Sequence, residues 1–193
     1  CSSFNNKPGT IVKKAVPSLE AVSVSGVATD NNQVRISVQQ LPDRPGAAAA
    51  VFKAMSDIGV VVDLIVQNVG RAGHANLTFS VPSDDAYRAE KALRETVGKS
   101  GARVGRSTKI SKISVVGVGM RTHSGVASCF FEALAEAGIN MLMISTSEIK
   151  ISVAVNPEDG DEATRVAHAA FGLEKRRSRK KATPRRPRTK ASK

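Results

Sequence analysis

The chain has 193 residues, 41% of them hydrophobic and 4% aromatic, with no Trp and a net charge of +12. That length holds one large domain or two small ones, and so few aromatics argue against a base-stacking nucleic-acid surface. No apolar run reaches membrane-spanning length, and the first residues do not read as a signal peptide.

The charge is unevenly spread. Residues 175–193 carry eleven Lys or Arg and no acid, which leaves +1 for residues 1–174. This basic tail lacks apolar periodicity and reads as disordered. It is either a solvated extension or a loose binder of nucleic acid or another polyanion. Cys1 and Cys129 make neither a disulfide framework nor a metal cluster. Cys129 lies in an apolar helical pattern and reads as a small buried hydrophobe. A cytosolic setting fits this cysteine usage. Cys1 before two serines allows a mature lipoprotein or a start inside a longer chain.

Residues 1–19 are polar and turn-rich, with Pro8-Gly9 and Pro17. Residues 21–28 alternate as a strand, with Val22, Val24 and Val27 set against Ser23 and Ser25. Asp30-Asn31-Asn32 reads as a turn. Then a repeat appears at an offset of 79 residues. Gly46 falls over Gly125, and residues 34–38 over 113–117. Val51-Phe52 falls over Phe130-Phe131, Gly59 over Gly138, and Ile65 over Ile144. After a loop four residues shorter in the second copy, Pro82 matches Pro157.

Each copy begins with an alternating strand, at 34–40 or 112–118, and a loop ending in Gly46 or Gly125. A helix follows, with Ala48, Val51, Phe52, Met55 and Ile58 on one face of the first, and Val126, Phe130, Leu134 and Ala137 on its counterpart. Gly59 and Gly138 read as left-handed caps. A hairpin comes next, its second strand at 74–81 or 148–155. In the second copy it spans Ile139–Val155 with a polar joint at Ser145-Thr146-Ser147-Glu148. A second helix starts after Pro82 or Pro157, with Ser83 as N-cap and Asp84-Asp85 at the positive end of the dipole. Its buried face holds Ala86, Ala89, Leu93 and Val97 in the first copy, and Ala163, Val166, Ala167, Ala170 and Phe171 in the second. A short strand near 102–107 closes the first copy.

The order βαββαβ is ferredoxin-like, so the fold class is α/β (α+β). The second copy lacks its last strand, and the strand at 21–28 is the natural replacement. The expected organisation is therefore a leading segment 1–19, a strand 20–30 completing the second unit, a first unit 31–108 inserted in the second, a second unit 109–173, and a tail 174–193.

The loops at 41–46 and 120–125 stand at equivalent places, between a strand and a helix N-terminus. There the unpaired N–H groups and the dipole favour an anion, and glycine allows close approach. Each loop can hold the acid end of a free amino acid. Asp63, Gln67 and Asn68 in the first copy, and Asn140 and Glu148 in the second, are candidate acceptors for the amino end. Equally, Pro45-Gly46 is a plain turn and Asp43 a plain cap.

Asp43-Arg44-Pro45-Gly46 in such tandem units resembles the ACT domain family. Val66-Gln67-Asn68-Val69, the run from Val115 to Val126, the run from Ile144 to Val153, and His168 to Leu173 resemble the regulatory half of aspartate kinases. Ser2-Ser3-Phe4 with Pro8-Gly9-Thr10 resembles the end of their kinase domain. The resemblance spans about residues 1–173.

It implies feedback control by lysine, threonine or both, bound at ACT–ACT interfaces, over ATP-dependent phosphorylation of aspartate. By the family pattern Asp43, Ala48, Gly70, Ala75, Asn76, Thr78, Ser147 and Glu148 belong to a lysine-type site, with Gly46 in its loop. Met120, His123, Gly125, Val126, Asp63, Gln67, Asn140 and Met141 belong to a threonine-type site. The sequence departs from the pattern with Ser124 for Pro, Gly70 for Ser and Asn76 for Asp, the last two removing a hydroxyl and a charge from the lysine-type site.

No catalytic site is expected in this chain. There is no phosphate loop with its lysine, and His74, His123 and His168 lack metal-ligand spacing. No cofactor is expected here; ATP and Mg belong to the implied kinase domain. The expected partners are the effector, an aspartate kinase catalytic domain or subunit, and a second copy of the chain as a homodimer. The alternatives are an amino-acid-sensing module without a kinase, and a polyanion binder acting through the tail.

Overall fold

A computed structural model describes residues 24–70, 73–105, 107–121 and 125–173. The first strand, β1, runs unbroken from Gly26 to Pro42. After it come α1 (Ala47–Asp57), β2 (Asp63–Val69), β3 (His74–Pro82), α2 (Ala86–Val97) and β4 (Arg103–Val104). Then follow β5 (Thr108–Val116), α3 (Val126–Glu136), β6 (Met143–Thr146), β7 (Lys150–Val155) and α4 (Gly160–Ala170). The hydrogen-bonded order is β2-β3-β1-β5-β7-β6, with β4 also on β1.

β1 is long because it serves two neighbourhoods. Its first residues, Gly26 to Asp30, pair with Val116 to Lys112 of β5, and Ser25 already donates to the Val116 carbonyl at 2.7 Å. Its later residues pair with β3, Ile36 opposite Phe79 and Val38 opposite Leu77. Residues 21–23 of the strand expected at 21–28 lie outside the described residues. The turn expected at Asp30-Asn31-Asn32 is instead a register shift inside the continuous strand. The Asp30 carboxylate accepts from the Asn32 amide at 3.0 Å and from Gln33 Nε2 at 2.9 Å. The side chain therefore satisfies the bulge locally, and the strand need not reverse.

Alternation sorts the side chains. Val34, Ile36 and Val38 of β1 join Leu77, Phe79 and Val81 of β3 beneath α1 and α2, with Val51, Met55, Ala89 and Leu93 buried against them. Phe52 lies 5.6 Å from Phe79, centroid to centroid. The second core repeats the plan: Ile113 and Val115 of β5 and Ile151, Val153 and Val155 of β7 meet Phe130, Leu134, Ala163 and Ala167. A third cluster lies on the other sheet face, where Leu64, Ile110, Met143 and Ala154 are buried with Val66 and Leu142 against them. Through it β2 and β6, the two ends of the hydrogen-bonded order, pack together.

Gly59 and Gly138 take φ of 69° and 73°, the left-handed caps expected. Ser83 is not an N-cap: Ser83–Asp85 forms a 3₁₀ turn, and α2 starts after it without a side-chain cap. Pro157–Asp159 does the same before α4. A Cβ on Gly160 would come within 2.6 Å of Ser111 Oγ, so its absence lets α4 sit close on β5. The closing strand of the first copy is only two residues long, pairing Val104 with Val38. Cys129 is half-buried rather than buried, its Sγ 3.9 Å from the Ala170 carbonyl. Ala170 is exposed, off the packed face expected for it.

Candidate functional site

The loop between β1 and α1 is held at both ends by backbone. The Asp43 N–H donates to the Gly73 carbonyl at 2.8 Å, tying the loop to the tip of the β2–β3 hairpin. Gly46 sits at φ 90°, a conformation that costs other residues about 1–2 kcal/mol. Just before the loop, Gln40 takes φ 55° at a bulge in β1, and its N–H donates to Asn76 Oδ1 at 3.2 Å. A strained non-glycine residue held by a side chain beside a loop is a common mark of a binding site.

The loop overhangs a cleft of about 410 Å³. Leu41 to Ala48 form one wall, and Gln67 of β2 and Ala75 of β3 the other. Asp43, Gly46, Ala48, Gln67 and Ala75, all expected at effector sites, thus share one cavity. A second hollow of about 420 Å³ lies on the opposite flank of the same loop, against Thr96, Val97 and Ser100. Arg44 lines both. In the cleft the first turn of α1 offers backbone donors to a carboxylate, and Asp43 and Gln67 offer acceptors to an ammonium or hydroxyl.

The other expected residues take different places. Gly70 N–H donates to the His74 carbonyl at 2.7 Å, and a Cβ on Gly70 would lie 2.6 Å from that oxygen. A larger residue there would push the hairpin open. Asn76 supports Gln40, and Thr78 meets Ser37 at 3.1 Å across β1 and β3. Thr78 alternates with Leu77 and Phe79 of the first core and so faces away from the cleft. Ser147 and Glu148 form the β6–β7 turn, where the Ser147 N–H donates to the Lys150 carbonyl at 2.7 Å. They belong to the second unit and do not line the cleft around Asp43.

The second loop echoes the first. Gly117 N–H donates to the Ile149 carbonyl at 2.9 Å, tying this loop to the β6–β7 turn as Asp43 ties its own. Gly125 sits at φ 95° before α3, and Val126 is buried in the second core. Met120 and Met141 pack half-buried on that core, and Asn140 is exposed. His123 lies outside the described residues. Gln67, expected with this group, lines the first cleft.

Asp63 is already engaged. Lys112 of β5 donates to Asp63 Oδ2 at 2.8 Å and lies 3.4 Å from Asp30 Oδ2. Burial pushes the Asp63 carboxyl up, but hydrogen bonds from Lys112 and the Leu64 amide and the lysine charges outweigh it, leaving it below the usual range. Burial pushes the Asp30 carboxyl up too, and hydrogen bonds from the Asn32 amide and Gln33, with the Lys112 charge behind them, leave it below the usual range. Burial pulls Lys112 down, and its two carboxylates more than restore it, so its pKa is raised. Sequence reasoning missed Lys112, one of two lysines on β5 with Lys109, and no local pattern sets it apart. The described residues hold no cluster of three or more metal-ligating side chains, and no helix among them is long and apolar enough to cross a membrane.

The profile of the ACT domain matches residues 34–97 and 113–171, the two copies of the repeat. The regulatory subunit of aspartate kinase from Thermus thermophilus, in its ligand-free form, is 37% identical, with a TM-score of 0.73 over 77% of this chain and 99% of that one. The chain belongs to the ACT domain family, in its aspartate kinase regulatory branch. A crystal structure of aspartokinase alpha and beta subunits contains a chain 43% identical to it, with a TM-score of 0.71 over 78% of this chain and 99% of the other. The aspartate kinase of Pseudomonas putida is 42% identical over 174 residues, which are 89% of this chain and 42% of that protein. The chain thus spans about two fifths of the length of the curated relatives it matches.

Proposed function

We propose that this chain is the effector-sensing region of an aspartate kinase, either a separate regulatory subunit or the regulatory part of a longer polypeptide, and that it binds lysine, threonine or both. The cleft under the Asp43–Gly46 loop carries the reading: a helix N-terminus for a carboxylate faces acceptors for an ammonium. Asp43 suits the side-chain ammonium of lysine, and Glu148 of a second ACT unit would add a second carboxylate. Threonine requires uncharged partners such as Gln67 and Asn140. The effector bridges ACT units, in a homodimer or against a partner unit, and favours one of two arrangements. The kinase domain attached to or associated with this region then phosphorylates aspartate more slowly, in the cytoplasm. In this reading Gly26–Asp30 completes the second ACT domain and the first is inserted within it.

Calorimetric titration with lysine and with threonine, singly and together, tests the reading. At least one should give binding heat and raise the thermal midpoint; at a hundredfold excess over Kd the added stability is about 2.7 kcal/mol. No heat and no shift with either would refute it.

A further inference from the structure

β2 stands between two things. On one side Gln67 lines the cleft. On the other, Leu64 and Val66 pack on Ile110, Met143 and Ala154 of the second unit. As the last strand of the hydrogen-bonded order it has, among the described residues, one ladder partner, β3. Its start is also irregular. The register with β3 shifts between Asp63 and Val66, and Leu64 takes φ 45°. Strain of that kind persists only where surroundings impose it.

Lys112 meets this irregular start through Asp63. Its ammonium holds Asp63 Oδ2 at 2.8 Å, while Asp63 Oδ1 takes the Leu64 N–H at 2.8 Å. One carboxylate thus joins the lysine of the second unit to the strained residue of β2. The Lys112 side chain is 15% exposed, the Asp63 side chain 39%. Beside this pair, Ser80, opposite Asp63 on β3, and Gln33 each keep a buried oxygen with no hydrogen-bond partner among the described residues. A seam with spare buried acceptors has more than one way to satisfy its polar groups.

We propose that Lys112 is a positioning residue for the cleft: by gripping Asp63 it sets where β2, and therefore Gln67, stands, and so couples the cleft to the second unit. The proposal rests on the cleft being an amino-acid site. Coupling of this kind is reciprocal, so a ligand pressing on Gln67 also loads the Lys112–Asp63 pair.

Amide hydrogen exchange of the full chain, without ligand, tests the mechanical half. In Lys112→Met the amides of residues 66–69 should exchange about tenfold faster, while those of β5 and β7 stay protected. Lys112→Arg should restore the slow rate. Unchanged rates at 66–69, or equal acceleration across the whole sheet, would overturn the proposal. The second arm is titration of wild type and Lys112→Met with lysine and threonine. If wild type binds either and the variant binds it as tightly, the coupling is wrong and the effector reading stands. If wild type binds neither, the effector reading fails and the exchange data alone decide whether Lys112 positions β2.

Discussion

Asp43 is exposed on the rim of the cleft, and its backbone, not its side chain, ties the loop to the hairpin. Removing the carboxylate should therefore leave the loop in place. Asp43→Ala removes an acceptor that matters to a ligand with a second ammonium and hardly at all to one with a hydroxyl. Lysine binding should weaken by about 1.5–3 kcal/mol, the range of a hydrogen bond to a charged group, and threonine binding by much less. Titration of both amino acids into the variant measures the two losses side by side. Equal losses would mean that Asp43 acts on the loop and not on the ligand. Gln67 was legible as one of three polar residues, with Asp63 and Asn68, on its strand, but not its partner loop. That depends on how the hairpin folds back, and no local spacing encodes it.

At the scale of elements, the glycines that punctuate both copies do the same physical work. Gly46 and Gly125 stand at φ 90° and 95°, and a Cβ at either would meet nothing within 4 Å. The cost of a side chain there is conformational and not steric. Gly46→Ala should lower stability by about 1–2 kcal/mol, and Gly46→Asn by less, because Asn visits the left-handed region more readily. Denaturant unfolding of the two variants checks the ranking; equal losses would mean that space, not backbone angle, constrains the loop. Because such demands recur at a fixed offset, the βαββαβ order could be read from the chain. Other features left no such trace. Gln40 and Leu64 hold positive φ without being glycine. β1 runs through Asp30-Asn31-Asn32 because side chains satisfy the bulge, whereas the same residues spell a turn on local preference. Ser83 has the chemistry of a cap, but the 3₁₀ turn after Pro82 moves the helix start past it.

At the scale of the whole molecule, both sheet faces are used. One carries the helices, and the other closes on itself where β2 meets β6. An alternating strand in isolation has one wet face, and nothing on the strand itself names a partner for Lys112. Here part of that face is covered, and the lysine lies between Asp30 and Asp63, with the charge of Lys150 also acting on Asp63. The sign of its pH dependence follows. The two carboxyls are lowered from an ordinary value of 3.8, so the stability they lend is present above that value and is lost as pH falls through their folded-state values. Lys112 is raised from 10.5, so its contribution is present below 10.5 and is lost as pH rises through its folded-state value. Both carboxylates are more than a third exposed, and solvent screening holds the network to about 1 kcal/mol. The stability difference between wild type and Lys112→Met, from denaturant unfolding across pH, should thus be flat through neutrality and shrink towards both extremes. A difference that stays constant below the carboxylate range would mean that the methionine acts through packing in the third cluster, and that the charge of Lys112 does not hold the two units in register.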